Sequence, residues 1–226
     1  MKVAFVVQRY GTEVVGGAEL HCRWVAEHLA ERHEVEVLTT TATDYLSWKD
    51  ALEAGTSEQN GVTVRRFPVA RERDIETFDP VANKVCFFEH TDAEERAWLE
   101  EHGPVCPALL DHLKAHEGDF DALIFFSYRY WTSYFGLQVA PHKSILVPTA
   151  EHDRVLYLRL FREYFRLPTA IAFNSPEEKI LIERITGNEG LPGEVVGTGI
   201  NRPAEVPVGE VETRLDLLGD YLVYVG

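Results

Sequence analysis

The stretch that most restricts how this chain can fold is Met1 to Leu29. Val3-Ala4-Phe5-Val6-Val7 is a continuous apolar run of strand length, and a run without polar alternation suits a parallel strand covered on both faces. A loop from Gln8 to Gly17 follows and ends on two adjacent glycines, and a helical pattern begins at Ala18. Glycine lets the backbone approach a bound group closely. A helix N-terminus presents unpaired N–H groups and the positive end of its dipole, which together favour an anion such as a diphosphate. The same geometry also makes a tight turn that merely packs helix on strand, so Gly16 and Gly17 are candidates for either role. This is not a standard phosphate fingerprint: no G-x-G-x-x-G follows the strand, and no G-x-x-x-x-G-K-[ST] occurs in the chain.

Strand and helix signals then alternate. Leu20, Trp24, Val25, His28 and Leu29 recur at helical spacing, and Glu34 to Thr39 alternates as a second strand. Thr40 to Asn60 reads as loop with a short helix over Trp48 to Ala54. Asn60-Gly61 is a turn signal, and Val62 to Pro68 is a third strand ended by proline. Val69 to Thr91 carries no clear pattern. Thr91-Asp92-Ala93-Glu94 predicts a capped helix start, with a stop near His102-Gly103-Pro104 and another helix over Pro107 to His116. Further strands are predicted at Asp121–Phe126, Lys143–Pro148, Ala170–Phe173 and Gly193–Val196. Helices are predicted before Ala140, over Arg154 to Arg166, and from Asn174-Ser175-Pro176 onward. The fold class is therefore α/β, a doubly wound, mostly parallel sheet with helices on both faces. In such sheets ligands sit outside the carboxyl ends of the strands. The glycine loop, Ser127 to Tyr130, His152-Asp153 and Asn174-Ser175 all fall at those ends.

The last residues set the domain expectation. Arg202 to Gly209 reads as a linker, a short helix follows around Glu212 to Leu218, and Tyr221 to Gly226 looks like one more buried strand. The reading is one domain over 1–201, with 202–226 as linker and first strand of a further α/β unit. A last strand of the same sheet is the alternative.

Composition narrows the classes. Against 37 Asp and Glu stand 22 Lys and Arg, a net charge of −15, which disfavours phosphate-backbone binding and so nucleic acid. Cys22, Cys86 and Cys106 are scattered without a C-x-x-C, so they are expected as free thiols in a reducing, cytoplasmic setting. His112 and His116 stand one helical turn apart near Asp111, a spacing that fits either zinc or a solvated face; no metal is expected.

The order of motifs resembles the N-terminal half of GT4-like, GT-B-fold retaining glycosyltransferases, whose sheet is Rossmann-like. The resemblance rests on Gly16-Gly17-Ala18-Glu19 after the first strand, His152-Asp153 after the fifth, and Asn174-Ser175-Pro176-Glu177-Glu178 opening a helix. Val195-Val196-Gly197-Thr198-Gly199-Ile200-Asn201 and Tyr221 to Gly226 complete it. The chain departs from the family pattern at Thr198, commonly Asn, and in having Glu151-His152-Asp153 around the usual single His. The resemblance implies transfer of a sugar from a nucleotide-sugar donor to an acceptor, a glycan, lipid-linked group or small molecule, with retention. The donor acts as co-substrate and no other cofactor is needed. This chain would be the acceptor-side half, inactive without a donor-binding half. It also implies His152 as the catalytic contact to the transferred sugar, with Asp153 beside it to hold one imidazole tautomer. Gly16, Gly17 and Glu19 would approach the donor, and Ser127, Tyr128, Arg129 and Tyr130 would line the acceptor groove. Asn174 and Ser175 would cap a helix at the cleft. Glu19 and Glu27 share the spacing of the family's donor-site glutamate pair but lie on the wrong helix. The basic, aromatic stretch over 154–166 is a candidate for peripheral membrane contact, or for pairing with the chain's many acids. Two rival readings stay open: a nucleotide-binding oxidoreductase domain and a non-enzymatic ligand-binding α/β domain.

Overall fold

The computed structural model describes residues 1–201, 208–216 and 222. Of the expected linker over Arg202 to Gly209, residues 202–207 fall outside them and Val208 and Gly209 instead open a helix; the expected final strand over 221–226 falls outside them except for Leu222. Among the described residues, eight strands form one sheet: β1 (Lys2–Val6), β2 (Glu34–Thr40), β3 (Gly55–Gln59), β4 (Val62–Phe67), β5 (Ala122–Phe126), β6 (Ser144–Val147), β7 (Ala170–Phe173) and β8 (Gly193–Val195). The helices are α1 (Gly17–Ala30), α2 (Ile75–Phe87), α3 (Asp92–His102), α4 (Pro107–His116), α5 (Trp131–Leu137), α6 (Arg159–Tyr164), α7 (Pro176–Thr186) and α8 (Val208–Leu215). No described helix is long and apolar enough to cross a membrane.

The strands lie in the order β3-β4-β2-β1-β5-β6-β7-β8, all parallel except the β3–β4 hairpin. The sheet is α/β, doubly wound and Rossmann-like. The chain winds outward from β1 through β2 to β4, returns to pair β5 with β1, and continues the other way. The β1/β5 boundary is thus the switch point, where a crevice opens at the carboxyl ends. The uninterrupted apolar run explains why β1 sits at the centre. Val3, Phe5 and Val7 pack with Cys22 and Ala26 of α1 on one face, and Ala4 and Val6 pack with Trp98, Leu109 and Leu113 on the other. Alternate side chains leave a strand on opposite faces, so only an all-apolar strand can serve both layers.

Three local expectations change. Residues 48–54 are not helical: Trp48 has φ 57°, and its buried indole donates to the His102 carbonyl at 2.7 Å. The Asp44 carboxylate accepts the Leu46 and Ser47 N–H groups, so a turn wins over the helix. Directly after, Gly55–Gln59 is an additional antiparallel edge strand joined to β4 through Asn60-Gly61. The expected 154–166 helix is split into a 3-10 turn over Val155–Tyr157, an extended Leu158 and the short α6. Leu156, Leu158 and Phe161 are all buried. Positions two apart cannot share one helix face, so burying all three breaks the helix. Three of its four arginines are engaged within the molecule, and Arg162 is exposed. Arg154 donates to the Cys86 carbonyl, Arg159 pairs with Asp92 and Glu95, and Arg166 meets Glu163 and the Thr186 carbonyl.

Other termini follow the residues. Thr91 and Glu94 form a reciprocal capping box on α3, and Ser175 accepts the Glu178 N–H to open α7. The three cysteines are free thiols. Glu95, 1% exposed, joins α3 to α6: His90 and Arg159 reach its Oε1 at 2.9 and 3.2 Å, and the Leu160 N–H reaches Oε2 at 2.9 Å. Burial raises its carboxyl, but the hydrogen bonds from Leu160, Arg159 and His90 win and hold it below the usual range. A depressed carboxyl adds stability above its unfolded pKa, and that stability is lost as pH falls through the folded value. Glu95→Gln should therefore lower the unfolding free energy by about 3 kcal/mol at neutral pH. In urea titrations the gap to wild type should close as the pH falls through the carboxylate range.

Candidate cleft at the carboxyl ends of the central strands

The β1–α1 loop is held by a buried ion pair. Arg9 donates through Nε and Nη2 to Glu19 Oε1 at 2.9 and 2.5 Å, and Gln8 Nε2 donates to the same oxygen at 2.8 Å. Arg9 also donates to the Thr43 carbonyl at 2.8 Å and the Val15 carbonyl at 3.3 Å, so one guanidinium ties the loop to α1 and to the segment after β2. Gly16 is required by this clamp. A Cβ there would overlap the Glu19 carboxylate and stand 3.1 Å from Arg9 Nη2. Gly17 differs, since a Cβ on it would meet nothing within 4 Å. Its missing side chain leaves open the mouth of a cleft.

That cleft has two adjoining lobes, each a cavity of about 340 Å³. One lies between the start of α1, the segment after β6 and the start of α7, and is lined by His21, Glu151, Asn174, Ser175, Glu178 and Thr198, among others. The second lies between α1 and the segment after β5, and is lined by Glu19, Ser127, Arg129, Tyr130 and Asp153. Gly17, Ala18, Thr149 and Glu151 border both. The 14-residue α1 opens onto this space with no side chain capping it. Its first-turn N–H groups and the positive end of its dipole therefore face the cleft.

Two non-glycine residues in the floor hold left-handed backbone, Ser127 at φ 64° and Thr149 at φ 51°. Such conformations are costly, most of all for a β-branched residue, and they gather at ligand sites. Ser127 Oγ and Thr149 Oγ1 share a hydrogen bond of 2.7 Å, which links the exits of β5 and β6. Glu178 plays a similar part between β6 and β7, accepting the N–H groups of Ala150 and Asn174 at 2.6 Å each. Burial raises its carboxyl above the usual range despite those two donors.

The residues expected from sequence divide accordingly. Gly17, Glu19, Ser127, Arg129, Tyr130, Asp153, Asn174 and Ser175 come together around the cleft. Gly16 stands behind it, and the Glu19 carboxylate is committed to Arg9 and Gln8. Tyr128 turns away: it is 1% exposed, packed edge-on against Phe161 at 4.7 Å. The Arg129 guanidinium lies over the Tyr128 ring at 5.6 Å, so Arg129 lines the groove and the tyrosine is buried beneath it. His152 is exposed beside Tyr157, their ring centroids 5.7 Å apart, on the loop between the lining residues Glu151 and Asp153. Asp153 does not orient it. That carboxylate pairs with Arg129 and accepts the Leu156 N–H of the 3-10 turn at 3.0 Å. Sequence reasoning missed His21, Thr149, Ala150 and Glu178 as lining residues. His21 was accessible in principle, lying four positions after Gly17 and hence on the same helix face.

The fold is similar to that of sucrose-phosphate synthase from Thermosynechococcus elongatus, with a TM-score of 0.58 and 14% identity over 96% of this chain and 53% of that one. An E. coli structure, trehalose-6-phosphate bound with UDP-2-fluoro glucose, aligns at a TM-score of 0.48 and 10% identity over 96% and 54% of the two chains. The chain thus spans about half the length of the solved structures it matches. No protein-family model and no curated protein matches it.

The contrast between the two glycines is testable by chemical denaturation. Gly16→Ala should lose about 2 kcal/mol through overlap with the Glu19 carboxylate. Gly17→Ala should stay within about 0.5 kcal/mol of wild type, its methyl standing in the cleft mouth.

Proposed function

We propose that this chain is the acceptor-side half of a GT4-like, retaining glycosyltransferase that moves a sugar from a nucleotide-sugar donor to an acceptor. The observation that carries the reading is Gly17: an unobstructed glycine at the uncapped start of a long helix, opening onto a two-lobed cleft at the switch point of the sheet. The N–H groups of that helix start suit the departing diphosphate, whose developing charge must be stabilised for the sugar to leave. The cleft wall itself is poor in cations. Among the described residues, Arg129 is its one lining residue with a full positive charge, and it is paired with Asp153. The diphosphate would therefore need cationic groups from a second, donor-binding half. This supports reading the chain as one side of a closing pair, with the lobe beside Ser127, Arg129 and Tyr130 taking the acceptor. His152, exposed on the rim, would meet the transferred sugar once the two sides close. The free thiols and acid excess suit a cytoplasmic setting.

The test is donor consumption by the complete gene product. UDP- and GDP-sugars offered with a panel of acceptors should be turned over, and nicotinamide cofactors should neither be reduced nor raise the melting temperature. Strong stabilisation by NAD or NADP would favour the oxidoreductase reading instead. His152→Ala should lower turnover by roughly tenfold or more while circular dichroism and melting temperature stay as in wild type. Unchanged turnover would remove His152 from the mechanism.

A further inference from the structure

The lobe between α1, the β6 exit and α7 contains two polar side chains that nothing in the described protein satisfies. His21 is 6% exposed and lines the cavity one turn into α1. Its ring stands edge-on to Phe126, centroids 5.4 Å apart, and neither ring nitrogen has a hydrogen-bond partner among the described residues. On the opposite wall, Asn174 Oδ1 is buried and likewise without a partner, although the N–H of the same residue is held by Glu178. Buried polar atoms are nearly always paired, and leaving one unpaired is costly. The buried Asn174 oxygen and the unpartnered His21 ring, on facing walls of one cavity, mark the surface a ligand completes.

The chemistry of the wall selects the ligand. Asn174 Oδ1 and the Glu151 carboxylate are acceptors, and the Glu178 carboxylate beside them is already held by the Ala150 and Asn174 N–H groups. A phosphate also brings only acceptors and negative charge, so it suits the α1 N–H groups at the cleft mouth and not these side chains. A hydroxyl brings a donor to Asn174 and can both give to and take from a neutral imidazole. Desolvation keeps His21 in that neutral form by lowering its pKa. Ala18, Ala150 and the methyls of Thr149 and Thr198 supply apolar contact for the C–H face of a ring. We propose that this lobe is a subsite for an uncharged, hydroxyl-bearing ring, a sugar or a ribose, with His21 and Asn174 contacting it directly. The proposal rests on the glycosyl-transfer reading and gives it a place for one ring of its substrates.

The experiment uses the protein with 15N-labelled histidine, following the imidazole resonances while adding methyl α-D-glucopyranoside, uridine or inorganic pyrophosphate in the millimolar range. One of the two uncharged compounds should shift the His21 signals and saturate. The glucoside doing so assigns the lobe to a hexose, and uridine doing so assigns it to a ribose. His21→Ala and Asn174→Ala should each weaken that binding by about tenfold, with amide spectra showing an intact fold. Pyrophosphate should not compete with it. The proposal is overturned if pyrophosphate alone saturates the lobe, if neither ring compound moves His21, or if both variants bind the ring as tightly as wild type. These outcomes leave donor consumption by the complete gene product standing on its own test. Conversely, a ring bound at His21 in a protein that consumes no nucleotide sugar removes the transfer reading and keeps a sugar-binding lobe.

Discussion

The buried pair of Arg9 and Glu19 is the interaction on which the rest of the cleft depends. Both side chains are 6% exposed, and a charge taken that far from water is tolerable only when fully paired. Here the pairing is dense: three donors converge on one Glu19 oxygen, and Arg9 gives two more N–H groups to the carbonyls of Val15 and Thr43. Glu19 is the third residue of α1, a position from which a glutamate commonly folds back to cap its own helix. Diverted to Arg9, it leaves that role unfilled. The uncapped helix start, the glycine pressed against the carboxylate and the open glycine beside it all follow from one side chain being drawn the other way.

The opposite wall is shaped by connections between strand exits. Ser127 and Thr149 accept strained backbone, and their hydroxyls join the ends of β5 and β6. Glu178 joins the ends of β6 and β7 through two backbone N–H groups. Each exit segment along this half of the sheet is thus tied to its neighbour by a polar contact inside the cleft. The cavity is bounded by loops, yet those loops are braced as a unit.

Legibility followed the kind of force involved. The apolar run of β1, the alternation of β2, the Asn60-Gly61 turn and the caps at Thr91 and Ser175 are local signals, and each was readable. β3 was not, because Gly55-Thr56-Ser57-Glu58-Gln59 lies on an edge, largely exposed, with no apolar face to betray it. α2 was hidden by Pro80 within it, a residue that normally argues against helix. Tertiary contacts decided the remainder. Trp48 left helical space to reach the His102 carbonyl, and Leu158 became extended so that its neighbours could all be buried. Within the site, the clustering of strand-exit motifs was foreseen from topology. Tyr128's turn into the core and Asp153's attachment to Arg129 were not, since both depend on which partners the folded chain brings near.

One consequence comes from the partition of the cleft. Its two chambers are not separated by a wall of their own, because Gly17, Ala18, Thr149 and Glu151 serve both. Whatever displaces Thr149 also disturbs the hydroxyl bridge to Ser127, and with it the neighbouring chamber. A guest in one chamber that shifts Thr149 would therefore change the affinity of the other. By thermodynamic reciprocity the coupling has the same magnitude whichever guest arrives first.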